Sequence, residues 1–175
     1  MTSSYIDQWY LDNLVCPIDK SPMICENNQL HCLERSHSYN IFRGIPIMLV
    51  DKYQKTKNLH GLRSINIVEG REKLRFDSKT ELKDDEIDPL VQNIIAETNS
   101  NFYAQASGKL KTYTIPDFPL STKNKNLLLD IGCGWGRWCI SANKSGFNTV
   151  GIDSCVESIL SAIRISKQLN IKSKY

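Results

Sequence analysis

The chain has 175 residues, of which 41% are hydrophobic and 23% charged, and its formal net charge is +3 at pH 7. These proportions suit one full globular domain or two small ones and exclude wholesale disorder, a collagen repeat and a coiled-coil rod. No apolar run approaches the ~20 residues of a membrane-spanning helix, and the mild charge gives no indication of a nucleic-acid partner. The opening MTSSYIDQWYLDNL has neither a basic n-region nor an apolar h-region, so a cytoplasmic setting is expected. In that reducing setting the six cysteines are read as free thiols or metal ligands. They fall into two groups, Cys16, Cys25 and Cys32 near one end and Cys133, Cys139 and Cys155 near the other. Two modules with different chemistry are therefore expected.

Residues 1–50 read as a small α+β module. A short helix is predicted over Tyr5 to Leu14. Cys16-Pro17-Ile18-Asp19-Lys20-Ser21-Pro22 is turn chemistry, and Glu26-Asn27-Asn28 is the turn of a hairpin between Met23–Cys25 and Gln29–Leu33, because asparagine tolerates positive φ. Further strand is predicted over Tyr39–Phe42 and Ile45–Val50. A 50-residue module buries little apolar surface and leans on a metal, a disulfide or a neighbouring domain. Residues 51–86 mix both charge signs and read as a solvated linker with one or two short helices. Residues 87–126 are a helical lead-in. Asp88-Pro89 is an N-cap followed by proline in the first turn, and Ile87, Leu90, Val91, Ile94 and Ile95 share one face of a helix running to about Asn99.

The pattern sharpens at Leu127-Leu128-Leu129-Asp130-Ile131, an unbroken apolar run that suits a strand buried on both faces. A helix over Trp135–Ser145, stopped by Gly146, a strand over Phe147–Ile152 and a second helix follow. Ser154 and Glu157 form a capping-box pattern, and Val156, Ile159, Leu160 and Ile163 line one helical face. Strand, helix, strand, helix is the start of a parallel α/β sheet. Between the first strand and helix stand Gly132, Gly134 and Gly136, and Asp153 ends the second strand. Glycines let the backbone turn sharply and approach a ligand, the helix N-terminus adds free N–H groups, and a strand-end carboxylate can accept ribose hydroxyls. Asp130, two residues before the first glycine, repels a pyrophosphate and attracts an ammonium or a sulfonium. The charge sign therefore favours S-adenosylmethionine over a dinucleotide, and no Gly-Lys-Ser/Thr follows to make a P-loop. Cys133, Cys139 and Cys155 read as small buried thiols, Trp135 and Trp138 as core, and Arg137 as a surface charge.

Residues 127–169 resemble the opening of a class I S-adenosylmethionine-dependent methyltransferase. The resemblance implies a Rossmann-like parallel sheet, donor binding by Asp130, Gly132, Gly134 and Gly136, and ribose binding by Asp153. YTIPDFPL and the WGRW extension are similar to a bacterial subgroup with a cysteine-bearing N-terminal module. In the family the sheet has seven strands, so residues 127–175 are expected to be a truncated domain, inactive alone, with a second chain completing the sheet as a partner. The methyl acceptor is unknown and no catalytic residue is assigned.

LVCPIDKSPM, LHC and SHSYNIFRGIPIML resemble the zinc-ribbon-like family of tRNA-methyltransferase activator subunits. Two C-x-x-C knuckles hold zinc in that family. Here Asp19 stands where the partner of Cys16 is expected, and Arg35 stands three residues after Cys32. Cys16, Cys32 and His37 with either Asp19 or Cys25 form a substitute set for zinc, whereas His31 adjoins Cys32 on a strand and points to the other face. The other reading is a relic ribbon without metal, its core held by Ile18, Met23, Leu30 and Ile47. The rival to an enzyme is a non-catalytic metal-binding or interaction module that docks on a methyltransferase.

Overall fold

A computed structural model describes residues 6–34, 37–50, 58–76, 81–95, 104–124 and 126–175. The chain is a mixed α/β protein with an antiparallel sheet and a separate parallel sheet. It divides into two compact units, Met1–Glu72 and Lys73–Tyr175. Among the described residues no helix is long and apolar enough to cross a membrane.

In the first unit, α1 (Gln8–Asn13) starts where the Asp7 carboxylate accepts the Trp9 N–H. Strands β1 (Met23–Glu26), β2 (Gln29–Cys32), β3 (Ser38–Phe42) and β4 (Ile45–Ile47) follow as an antiparallel sheet in that order. Asn27 and Asn28 take φ of 50° and 62°. A two-residue turn with both centres left-handed matches the twist of the strands it joins. Period-two alternation sends Leu30, Cys32, Tyr39 and Ile41 inward, where they pack with Ile6, Tyr10, Cys16 and Met23. Two residues expected in this core lie elsewhere. Ile18 is 54% exposed because it sits on the projecting Cys16–Ser21 turn, and Ile47 is half-buried on the edge strand β4, where Pro46 is also tolerated. The charged stretch contains α2 (Leu59–Val68), capped by Asn58 accepting the Gly61 N–H. The remainder of the predicted linker at 51–57 and 77–80 lies outside the described residues.

The second unit opens with α3 (Pro89–Ile94); its predicted extension over 96–99 falls outside the described residues. Strands β5 (Leu127–Ile131), β6 (Asn148–Ile152) and β7 (Ser173–Lys174) form an all-parallel sheet in that order, connected by α4 (Arg137–Lys144) and α5 (Val156–Gln168). Gly146, at φ 97°, turns the chain after α4. The expectation that β5 is buried on both faces is corrected. α4 packs on all three strands and α5 on β7, while Leu127, Leu129 and Ile131 are 65%, 55% and 76% exposed. In-register pairing gives Ile152 the same face as Ile131, and it too is exposed. A continuous apolar run marks two apolar faces; here helices cover one of them. Two details of α5 also differ from expectation. Cys155, one residue after Ser154, is its N-cap, and the Glu157 carboxylate accepts the backbone N–H and the guanidinium of Arg75. Ile163 is exposed, and Ala162 and Ile165 take inward positions beside Val156, Ile159 and Leu160.

Asp88 is fully buried and joins α3 to α5. Its carboxylate accepts the Leu90 N–H, the Ser161 hydroxyl at 3.0 Å and the Arg164 guanidinium at 2.8 Å. Removing one partner of a buried ion pair strands the other charge, which costs about 3–5 kcal/mol. Asp88→Ala should therefore destabilise the chain towards the lower end of that range, because Arg164 retains 14% exposure. Chemical denaturation that finds less than about 1 kcal/mol lost, the scale of an exposed pair, would show the network to be weaker than its geometry implies.

Candidate functional site

Each unit carries one constellation. In the first, the Cys16–Ser21 turn is closed by Cys16 N–H to Ser21 O and Lys20 N–H to Cys16 O, both at 2.9 Å, with Lys20 left-handed at φ 65°. A second loop is closed by Cys32 N–H to His37 O at 3.0 Å. The two closures bring Cys16, Asp19, Cys32 and His37 together, with all four ligand atoms within 4.8 Å of one another. The open choice between Asp19 and Cys25 thus resolves geometrically: Asp19 belongs to the cluster, and Cys25 and His31 do not. Both thiols are fully buried and Asp19 is exposed.

The spacings fit a metal ion. Tetrahedral zinc with Zn–S about 2.3 Å and Zn–N about 2.05 Å implies N···S edges of about 3.6 Å. His37 Nδ1 lies 3.6 Å from Cys16 Sγ and 3.8 Å from Cys32 Sγ. Its 3.0 Å separation from Asp19 Oδ2 compares with an N···O edge of about 3.3 Å. Asp19 uses its other oxygen to accept the Ser21 hydroxyl and N–H, at 2.6 and 2.9 Å. Those bonds hold its carboxyl well below the usual range and keep it ionised. In the metal-free protein the Cys32 sulfur, and then Asp19, raise His37 above its ordinary value. The His37 backbone N–H points at Cys32 Sγ at 3.3 Å, and the Tyr39 hydroxyl lies 3.2 Å from Cys16 Sγ. Burial, and then the Cys16 sulfur, push the Tyr39 phenol up, so it keeps its proton. The group could hold a metal such as zinc.

In the second unit the glycine loop joins β5 to α4. Gly132, Gly134 and Gly136 all have positive φ, at 78°, 55° and 83°, a region that other L-residues rarely adopt. Beyond Gly132 and Gly134 nothing lies within 4 Å of where a Cβ would stand, so the loop presents bare backbone to open space. Gly136 differs: a Cβ there would meet the Tyr175 hydroxyl at 2.6 Å. Tyr175 is buried and bonded to the Ser166 hydroxyl at 2.7 Å, so the loop rests on that ring. Asp153 stands where the sequence expects it, after β6. One carboxylate oxygen accepts the Gly134 N–H at 2.9 Å and the other the Cys155 N–H at 2.7 Å. Each oxygen keeps a lone-pair direction for a further donor.

Asp130, near the end of β5, is half-buried and accepts the Cys139 thiol at 3.6 Å. Burial raises its pKa, and the negative charge of Asp153 adds to the rise. Cys133, Cys139 and Cys155 are all buried, and burial raises the first two thiols above their ordinary range, which suits inert packing groups. Trp135 is core at 2% exposure, stacked at a tilt on Tyr113 with ring centres 5.7 Å apart. Its indole N–H has no hydrogen-bond partner among the described residues. Trp138 is 38% exposed, with the Arg137 guanidinium 5.9 Å above its ring.

Sequence reasoning missed the roles of Tyr39 and Tyr175, and it read Cys139 as a buried thiol without its bond to Asp130, since a lone tyrosine or cysteine carries no spacing signal. No family model matches the chain, and no curated protein matches its sequence.

Asp130 makes the loop's stability depend on pH in a defined direction. An acid whose folded pKa lies above its ordinary 3.8 binds its proton more tightly when folded. Its stabilising contribution is present at low pH and is lost as pH rises through the folded value. Asp130→Asn should therefore stabilise the ligand-free protein at neutral pH and give a smaller gain below the ordinary value. Urea midpoints at the two pH values check this, and an equal gain at both would contradict it.

Proposed function

We propose that the parallel-sheet unit binds S-adenosylmethionine as the donor half of a methyltransferase, on a Rossmann-like βαβ start, and that one zinc ion holds the antiparallel unit. The observation that carries the donor reading is the bare backbone at Gly132 and Gly134, cross-linked through Gly134 to the strand-end acid Asp153. A loop open above its glycines, at the C-terminal ends of parallel strands, is where α/β sheets take nucleosides. Charge supports the methyl donor over a dinucleotide: Asp130 puts an acid beside the loop, favourable to a sulfonium and an ammonium and hostile to a pyrophosphate, whereas a strand-end acid such as Asp153 serves the ribose of either ligand. Asp153 would accept the ribose hydroxyls and Asp130 would face the cationic end. Transfer itself is an in-line displacement. The acceptor's lone pair bonds the methyl carbon while the carbon–sulfur bond breaks, leaving its pair on sulfur, and positioning supplies most of the acceleration.

A second reading has a specific observation in its favour. Val15, Ile18 and Leu33, exposed at 49%, 54% and 56%, flank Cys16, Asp19 and Cys32. An apolar rim beside a structural metal suits a module that docks on another protein.

Calorimetric titration tests the donor reading. S-adenosylmethionine should bind and NAD should not, and Asp153→Ala should weaken binding by about 10- to 150-fold, the worth of hydrogen bonds to a charged group at roughly 1.5–3 kcal/mol. Binding of NAD in its place, or an unchanged affinity in the variant, would overturn it. For the metal, purified protein should carry about one zinc per chain, released by Cys32→Ser. Metal-free protein that neither gains zinc nor changes stability on adding it would leave the ribbon without a metal.

A further inference from the structure

The two thiols of the metal group are fully buried, and as ligands both are thiolates. Two thiolates and the Asp19 carboxylate against a divalent cation leave one uncompensated negative charge when His37 is neutral. A buried charge is costly unless hydrogen bonds spread it, so each sulfur needs a donor. Cys32 has the backbone N–H of His37 at 3.3 Å. The Cys16 backbone N–H is committed to Ser21 O; among the described residues the side chains that approach the Cys16 sulfur include His37 and Asp19, both candidate ligands, and the Tyr39 hydroxyl at 3.2 Å, which is a donor outside the ligand group. In the free thiol either Cys16 or Tyr39 can be the donor. Once Cys16 is a thiolate it has no proton to give, and the direction is settled: the phenol donates and the sulfur accepts. Tyr39 is held for this, since it is 5% exposed in the core and paired on β3 with Leu30 of β2.

We propose that Tyr39 is a positioning residue of the metal centre, whose phenol O–H donates to the Cys16 thiolate and thereby sets metal affinity and the electron-donating strength of that sulfur. The proposal rests on the zinc reading given above. The two sulfurs differ in one respect: Cys32 has a main-chain donor, present whatever the side chain at 37, while the Tyr39 donor to Cys16 is a side chain that one substitution removes.

The test uses the full chain with zinc and with Co2+ as a spectroscopic probe. Tyr39→Phe keeps the ring and its packing and deletes only the hydroxyl. Zinc affinity, measured by chelator competition, should fall by about 10- to 100-fold, the usual effect of removing a group that supports a metal ligand. The thiolate-to-Co2+ charge-transfer band should move to lower energy, because the sulfur lone pair loses the bond that held it down. Site-specific 3-fluorotyrosine at position 39, a stronger donor, should move the band the opposite way, and it keeps the test decisive if the phenylalanine variant folds poorly. Metal binding by the natural chain with an unchanged band in both variants would overturn the role of Tyr39 and leave the zinc site standing. A natural chain that binds neither metal would overturn the zinc reading and this inference with it.

Discussion

The carboxylate of Asp153 is the constraint on which the parallel-sheet unit turns. One oxygen holds the glycine loop through Gly134, the other the start of α5 through Cys155. Three left-handed glycines in five residues are entropically costly to order. Hydrogen bonds from backbone N–H groups to an ionised acid, each worth roughly 1.5–3 kcal/mol, offset part of that cost. Further support comes from the Gly132 and Cys133 N–H groups, which donate to Ile152 O at 2.8 and 3.1 Å, and from the Tyr175 ring under Gly136. The lead-in segment then fixes α5 from its outer side. Asp88 binds Ser161 and Arg164, Glu157 binds Arg75, and Tyr113 donates to Gln168 at 2.8 Å while stacking on Trp135. Residues that precede the parallel sheet in sequence thus brace α5 along its length, from Glu157 to Gln168, and the acid beside the loop stands just before the start of that helix.

The antiparallel unit meets a different constraint. Among the described residues its main core cluster holds eight buried residues, two of them cysteines, a small apolar reserve for a module of its size. Two buried sulfurs, an imidazole and an ionised carboxylate converge with their ligand atoms within 4.8 Å of one another, and the imidazole nitrogen stands 3.6 and 3.8 Å from the sulfurs. Asp is an unusual member of such a set, and Ser21 makes it serviceable by holding one oxygen and leaving the other towards His37.

Features with a local physical signal were legible in the sequence. Asn27-Asn28 announces a left-handed turn, Asp88-Pro89 a capped helix start, and the glycines between β5 and α4 a tight loop ending opposite Asp153; each element stands where its signal is. The candidate ligand group was legible to within one alternative, and only the fold of two loops could separate Asp19 from Cys25. What failed needed non-local knowledge. Leu127–Ile131 has the composition of a strand covered on both sides, but composition does not say which face receives helices. Ile18 is apolar yet rides an exposed turn closed by backbone hydrogen bonds between Cys16 and Ser21. The supports at Tyr39, Cys139 and Tyr175 act across 23, 9 and 39 residues of sequence, counted to Cys16, Asp130 and Gly136, and no periodicity links such pairs.

In the proposed function the glycine loop and its two acids form a seat for a cationic nucleoside. Backbone NMR on isotopically labelled protein examines that seat directly, amide by amide. Adding S-adenosylmethionine should shift the signals of Gly132, Gly134, Gly136 and Asp153 together, saturably, while NAD at the same concentration leaves them in place. Shifts at these amides with NAD, or none with S-adenosylmethionine at any concentration reached, would contradict the account.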